Sequence, residues 1–233
     1  MRTMQGMTAA AGLAVGVTGG MLAADASADS VQVVGGQTSV LLDTATLSAA
    51  ASLDLSGVSS DVIAPGELGP NSVAFSINPT DGDLPTTFAY DPTDFLGTFS
   101  GAIEHTGSVF FNSDTVEVGD FTIGFDAARV GGDASGFFVE STTGIAAVLF
   151  DIGAPSTLDA QDESLVIEAD LLVSNEFATF LFDQGLAASD LTGATVGSAR
   201  VSAISVPSPS TALGGLALVG LMVARRRRGE ASE

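Results

Sequence analysis

The sequence predicts an all-β body, an antiparallel β-sandwich or jelly roll carrying one short helix. Three observations predict it. Apolar residues alternate with polar ones over several short stretches, the two-residue period of a half-buried strand. Gly, Pro, Asn, Asp and Ser recur between those stretches, roughly every eight to twelve residues, as turns do in such folds. The chain of 233 residues has no cysteine and no tryptophan but 14 phenylalanines, so a packed apolar interior, not a disulfide framework, has to hold it together.

Taken in order, residues 31–34 read as a first strand. Leu47, Ala49, Ala51, Leu53 and Leu55 alternate with Ser48, Ala50, Ser52 and Asp54, which extends strand character to residue 55. Pro65, Gly66, Gly69 and Pro70 make residues 58–71 a loop. Val73, Phe75 and Ile77 form the next strand, and residues 78–85 (NPTDGDLP) are turn chemistry throughout. Residues 86–90 read as a strand edge ended by Asp91-Pro92, and residues 98–105 continue in the same way. Residues 109–112 and 115–118 flank a turn at Ser113-Asp114. Gly119-Asp120 reads as a tight turn before Phe121, Ile123 and Phe125. Residues 137–141 and 146–152 pair around residues 142–144, and residues 155–164 read as an acidic loop. Leu165, Ile167, Ala169, Leu171 and Val173 give the clearest amphipathic strand. Residues 174–183 (SNEFATFLFD) are the one good helix of the body: Ser174 or Asn175 can cap it, and Gly185 ends it. Residues 191–196 and 198–204 return to strand.

Charge narrows the function classes. Of 28 acidic residues only Asp25, Glu230 and Glu233 fall outside residues 29–205, which leaves 25 there against two basic ones, Arg129 and Arg200. There is no lysine. Such a body repels nucleic acid and anionic membranes, because phosphate binding needs clustered Lys and Arg. The absence of cysteine excludes thiolate-bound zinc, iron–sulfur clusters and thiol chemistry.

The two ends carry targeting signals. After Arg2, residues 7–24 are small and apolar, followed by Ala26-Ser27-Ala28 and Asp29. This is the A-x-A exit of a secretory signal peptide, so residues 1–28 are expected to be removed by signal peptidase after Ala28. At the other end stand Val206, Pro207, Ser208, Pro209, Ser210 and Thr211. An uncharged apolar run follows over residues 212–224, and then Arg225, Arg226, Arg227 and Arg228. The two prolines keep the motif extended, and Ser210 or Thr211 can cap a helix. That helix would be about 20 Å long, short against a hydrocarbon core of roughly 30 Å. Gly214, Gly215 and Gly220 serve poorly in a soluble helix, and four arginines stay on the cytoplasmic side of a membrane.

This three-part ending resembles the PEP-CTERM sorting tail of Gram-negative bacteria, with Ser208 where that family usually has Glu. The resemblance implies a transient inner-membrane anchor, recognition by an exosortase, processing near the motif, and delivery to the cell surface, outer membrane or extracellular matrix. The organisation expected is a signal peptide over residues 1–28, a β-sandwich body over 29–205 and a sorting tail over 206–233.

Chemistry within the body is sparse. Asp81 and Asp83 share one loop, with Asp91 and Asp94 shortly after; Asp159, Asp162 and Glu163 share another. Spaced carboxylates of this kind can supply calcium with several of its six to eight oxygens, and an acidic chain also places them in plain solvated loops. Calcium is the one cofactor the sequence suggests. His105 is the only histidine, and no G-x-S-x-G elbow accompanies it. Glu168 and Asp170 fall on the polar face of their strand, where a glycosidase pair has no reason to be. A non-enzymatic envelope protein is therefore expected. The rival is a carbohydrate-binding module for surface or matrix exopolysaccharide, which would need an exposed aromatic face, most naturally around Tyr90.

Overall fold

A computed structural model describes residues 30–208. Among them run twelve strands: β1 (Val31–Leu42), β2 (Leu55–Val58), β3 (Val73–Ser76), β4 (Ala89–Tyr90), β5 (Ile103–Glu104), β6 (Ser108–Phe111), β7 (Val116–Gly131), β8 (Ala134–Gly144), β9 (Ala147–Gly153), β10 (Thr157–Ala160), β11 (Ser164–Val173) and β12 (Thr195–Pro207). Three helices interrupt them: α1 (Thr44–Ala51), α2 (Phe95–Thr98) and α3 (Asn175–Asp183). The body is all-β and antiparallel, as the alternation predicts.

The strands form one hydrogen-bonded sheet in the order β2-β6-β7-β8-β9-β11-β12-β1-β3, with β4 on β1, β5 on β7 and β10 on β11. The sheet curls back on itself. Ile77, just past β3, bridges His105, just past β5. Asn78 N donates to Glu104 O at 2.7 Å, and His105 N to Phe121 O at 2.9 Å. Opposing walls therefore face each other across one core, sandwich-like in layering, but the hydrogen bonding runs continuously instead of splitting into the two sheets of a jelly roll. Long strands make this possible. β7 has 16 residues, β12 has 13 and β1 has 12, and strands of that length coil strongly. Register breaks at Val33/Gly35, Phe125/Val130 and Leu171/Leu172 add bends. The core is filled from every wall, by Val33, Phe75, Ile103, Leu149, Leu165 and Leu171 among others.

Several local expectations are corrected. Residues 44–51 are helical, not extended. Asp43 accepts from Thr46 N at 3.0 Å as N-cap, and Leu47 and Ala51, one turn apart, are the buried pair. Alternating Ala and Ser satisfies a strand pattern and a helical one equally, so capping and burial decided. The second unexpected helix, α2, is a single turn capped by Asp94. Gly119-Asp120 makes no turn, and β7 runs straight through it. Ser108 packs so close to Gly119 that a side chain there would collide with it. The expected loop at 155–164 contains β10, paired to β11. Residues 191–194 are turn, with strand resuming only at Thr195. The helix the sequence did identify is α3: Ser174 accepts from Phe177 N at 3.0 Å, and Phe177, Ala178 and Leu181 face the core.

The body also extends into the motif. Val206 pairs with Gln32 and Pro207 with Val31, and Ser208 N donates to Ser30 O at 2.8 Å. Pro209, Ser210, Thr211, residues 212–224 and Arg225 to Arg228 lie outside the described residues, as do Ala26 and Ala28. Among the described residues no helix is long and apolar enough to cross a membrane.

Candidate functional site

Three ladders break together at one end of the curled sheet. β7 parts from β8 between Phe125 and Val130, β8 parts from β9 between Ala134 and Phe138, and the chain leaves β9 through Pro155 before pairing again as β10. Helix α2 covers part of the opening. Asp94 Oδ1 accepts from Gly97 N at 3.2 Å and Thr98 Oγ1 donates to the Asp94 carbonyl at 2.6 Å, so this one turn is held closed. It puts Phe95 inside and leaves Leu96 73% exposed. Between these parts lies an apolar chamber of about 250 Å³. Phe88, Phe95, Phe99, Phe125 and Phe137 wall it, and Leu96, Phe125 and Leu158 reach the surface at its mouth. The rings interlock: Phe99 lies 4.9 Å from both Phe125 and Phe137, and those two are 5.1 Å apart, within the range of favourable aromatic pairs. Ser135 is the one polar lining residue, and its hydroxyl donates to the Ile152 carbonyl at 2.7 Å.

Deeper in the body is a second cavity of about 80 Å³, apolar except for Thr38 and His105. Ile123, Ile152, Ile167 and Val201 line both spaces. These four residues, one each from β7, β9, β11 and β12, form a partition between the chambers.

His105 is 2% exposed. Its Nδ1 faces the Phe121 carbonyl at 3.0 Å and its Nε2 faces Thr38 Oγ1 at 2.7 Å. A carbonyl can only accept, so Nδ1 carries the proton and Nε2 accepts from the threonine. Burial pushes the imidazole pKa down to about 4, opposed by the Phe121 bond. Both ring nitrogens are thus committed in a neutral ring that ties β1, β7 and the residue after β5. That geometry suits a structural clamp and leaves no free nitrogen for a general base.

The two arginines of the body are committed as well. Arg129 binds Asp151 at 2.9 Å and Glu176, and stands over the Phe138 ring at 5.4 Å. Burial works against its charge, but the bonds to Glu176 and Asp151 outweigh it and raise its pKa. Burial likewise pushes Glu176 up, and the bond from Arg129 reverses this and holds it below the usual carboxylate range. Arg200 binds Glu67 at 3.1 Å and Glu168. The Ser202 hydroxyl, with smaller help from Gln37 and Arg200, lowers Glu67.

Tyr90 is 1% exposed, so it offers no stacking face. Its hydroxyl lies 2.8 Å from the Gln161 carbonyl, 3.1 Å from that of Ser164 and 2.9 Å from Ser205 Oγ. Burial raises its pKa, the Ser205 bond opposes, and Asp162 and Asp159 add to the rise. Tyr90→Phe is expected to cost about 1–3 kcal/mol, because buried carbonyls lose their donor. Urea denaturation would measure it.

Of the proposed calcium ligands, Asp81 and Asp83 are exposed in their loop, and Asp159, Asp162 and Glu163 are exposed in β10 and the turn after it. Asp159 accepts from Gln161 Nε2 at 2.6 Å. Among the described residues no three acidic or histidine side chains come together as a metal would require. Glu168 and Asp170 do lie at the outer face, Glu168 paired with Arg200 and Thr157. The chamber itself escaped sequence reading. Its five phenylalanines are spread over residues 88–137, and only ladder breaks in the folded sheet gather them.

No protein-family model matches the chain, and no curated protein matches it. Among solved structures, the crystal structure of the C-terminal domain of HtaA from Corynebacterium glutamicum is similar at 17% identity and a TM-score of 0.45, over 75% of this chain and 99% of that one. Chains this far apart do not share a function on that ground.

Proposed function

We propose that the chain is an exported cell-envelope or matrix protein, delivered through its PEP-CTERM-like tail, whose β-domain acts without catalysis. One observation carries this reading: an export start and a three-part sorting end bracket a single acidic domain. Val31 pairs with Pro207, so the two ends of the described residues meet at one end of the sheet, with Val206 and Pro207 of the motif inside the β1–β12 ladder.

Signal peptidase and an exosortase would be the processing enzymes, and exopolysaccharide the natural neighbour. At the surface the domain would present a dense negative field, since both of its arginines are already paired. Divalent cations could bridge such a surface to acidic matrix without a built site. Burial of Tyr90 removes the residue on which the carbohydrate-module reading most naturally rested.

Intact-mass analysis of fractions from the native host tests the proposal. The expected species begins near Asp29, lacks the apolar tail, and is found at the surface or in the matrix. A species in the inner membrane still carrying residues 212–228 would overturn it.

A further inference from the structure

We propose that the mouth chamber and the cavity beneath it form one divided binding site for the hydrocarbon part of a single-chain amphiphile with an uncharged or cationic head. The inference goes beyond sorting and does not depend on it.

Size, shape and charge support it together. A dry apolar cavity of about 150 Å³ already accepts a benzene-sized molecule, and the mouth chamber holds about 250 Å³. Its lining is almost wholly apolar, so hydrogen bonding cannot select the ligand; the selected group must itself be hydrocarbon. The mouth stays open to solvent where Leu96 and Leu158 stand at 73% and 40% exposure. These leucines would be covered by the upper part of a chain whose polar end remains in water.

The head is constrained by charge. Residues 29–205 carry 25 acidic side chains, with Asp94, Asp126 and Asp159 among the exposed ones. The two arginines of that span, Arg129 and Arg200, are both already held by carboxylates. An anionic head would approach a surface of like net charge. Ile123, Ile152, Ile167 and Val201 line the chamber and the cavity of about 80 Å³ alike, so shortening one of them would join the two and lengthen the usable depth.

The full protein is titrated calorimetrically with three probes of equal chain, dodecyltrimethylammonium, dodecyl maltoside and dodecyl sulfate, and the Leu96/Leu158 double variant serves as reference for any binding by the apolar ends. Each is used below its micelle concentration at low ionic strength, where repulsion is not screened, and the uncharged maltoside reports the site without electrostatic attraction. The ammonium and maltoside probes are expected to bind saturably at one site, and the sulfate at least about tenfold more weakly. Leu96→Gln with Leu158→Gln changes only exposed positions and no charge, and should weaken binding about tenfold. Ile167→Ala opens the partition and should move the optimum toward longer chains; Ile167→Val, a smaller change, should move it less. No saturable binding, sulfate binding as tightly as the others, or an unaffected double variant would overturn the site. An unchanged chain-length optimum in both Ile167 variants would overturn its division into two connected chambers.

Discussion

His105→Ala is expected to destabilise the protein by roughly 3–5 kcal/mol at neutral pH, from a lost side chain in the core and two polar groups left unpaired. The Thr38 hydroxyl and the Phe121 carbonyl, both partners of the ring, would be stranded in a buried place. The void would also join the cavity of about 80 Å³ already beside it. The loss falls where the sheet closes, since residue 105 bridges Ile77 and pairs with Phe121. The pH dependence separates this role from simple packing. The folded imidazole titrates at about 4, and the unfolded one near 6.5. Above that upper value neither state is protonated, and the histidine adds no pH dependence. As pH falls between the two values, the unfolded chain takes up a proton that the folded chain refuses. Stability therefore declines over that window, by up to about 3 kcal/mol. The carboxylates titrate in both proteins, so the difference between wild type and His105→Ala isolates the histidine. Denaturant unfolding at several pH values should give profiles that converge toward acid. Parallel profiles would rule out the buried neutral ring.

Gly36→Ala should cost roughly 2–6 kcal/mol, combining a strained backbone with forced overpacking. Gly36 has φ +117°, outside what side-chain-bearing residues readily adopt. A Cβ there would fall 2.8 Å from Ala203 Cα and closer still to the Ser202 carbonyl oxygen. The neighbouring strand would have to move. Gly36 O also accepts from Ile77 N at 3.0 Å, so the disturbance reaches the closing strand as well as the β1–β12 seam. Gly35→Ala is the control: its Cβ would meet nothing within 4 Å. In a domain of this size each kcal/mol shifts the melting temperature by about 2–4 °C. The Gly36 variant should melt far below the Gly35 variant, and equal melting temperatures would refute the close approach.

The sequence by itself determined what depends on local order along the chain. Strand alternation over Leu165 to Leu171 survives in β11, because neighbours in a strand take opposite faces, and it ends at the register shift, where Leu172 is buried as well. The cap at Ser174 and the start of α3 survive for the same reason: the cap and its partner at Phe177 are three residues apart. The export and sorting readings rest on linear patterns at the two ends, which apart from Val206, Pro207 and Ser208 lie outside the described residues. The tertiary structure decided what depends on contacts distant in sequence. Residues 44–51 carry a pattern compatible with strand or helix, and burial of Leu47 with Ala51 selected the helix. Tyr90 looked available for a ligand, and the meeting of β4, β11 and β12 buried it instead. Whether the strands split into two sheets or curled as one was settled by unbroken pairing from β7 through β8, β9, β11 and β12 to β1, and the bonds near Ile77 and His105 close the curl. The chamber exists only because three ladders part at the same end of the sheet. Each of these outcomes turns on pairing between segments dozens of residues apart, and alternation within a single strand carries no information about which partner it will meet.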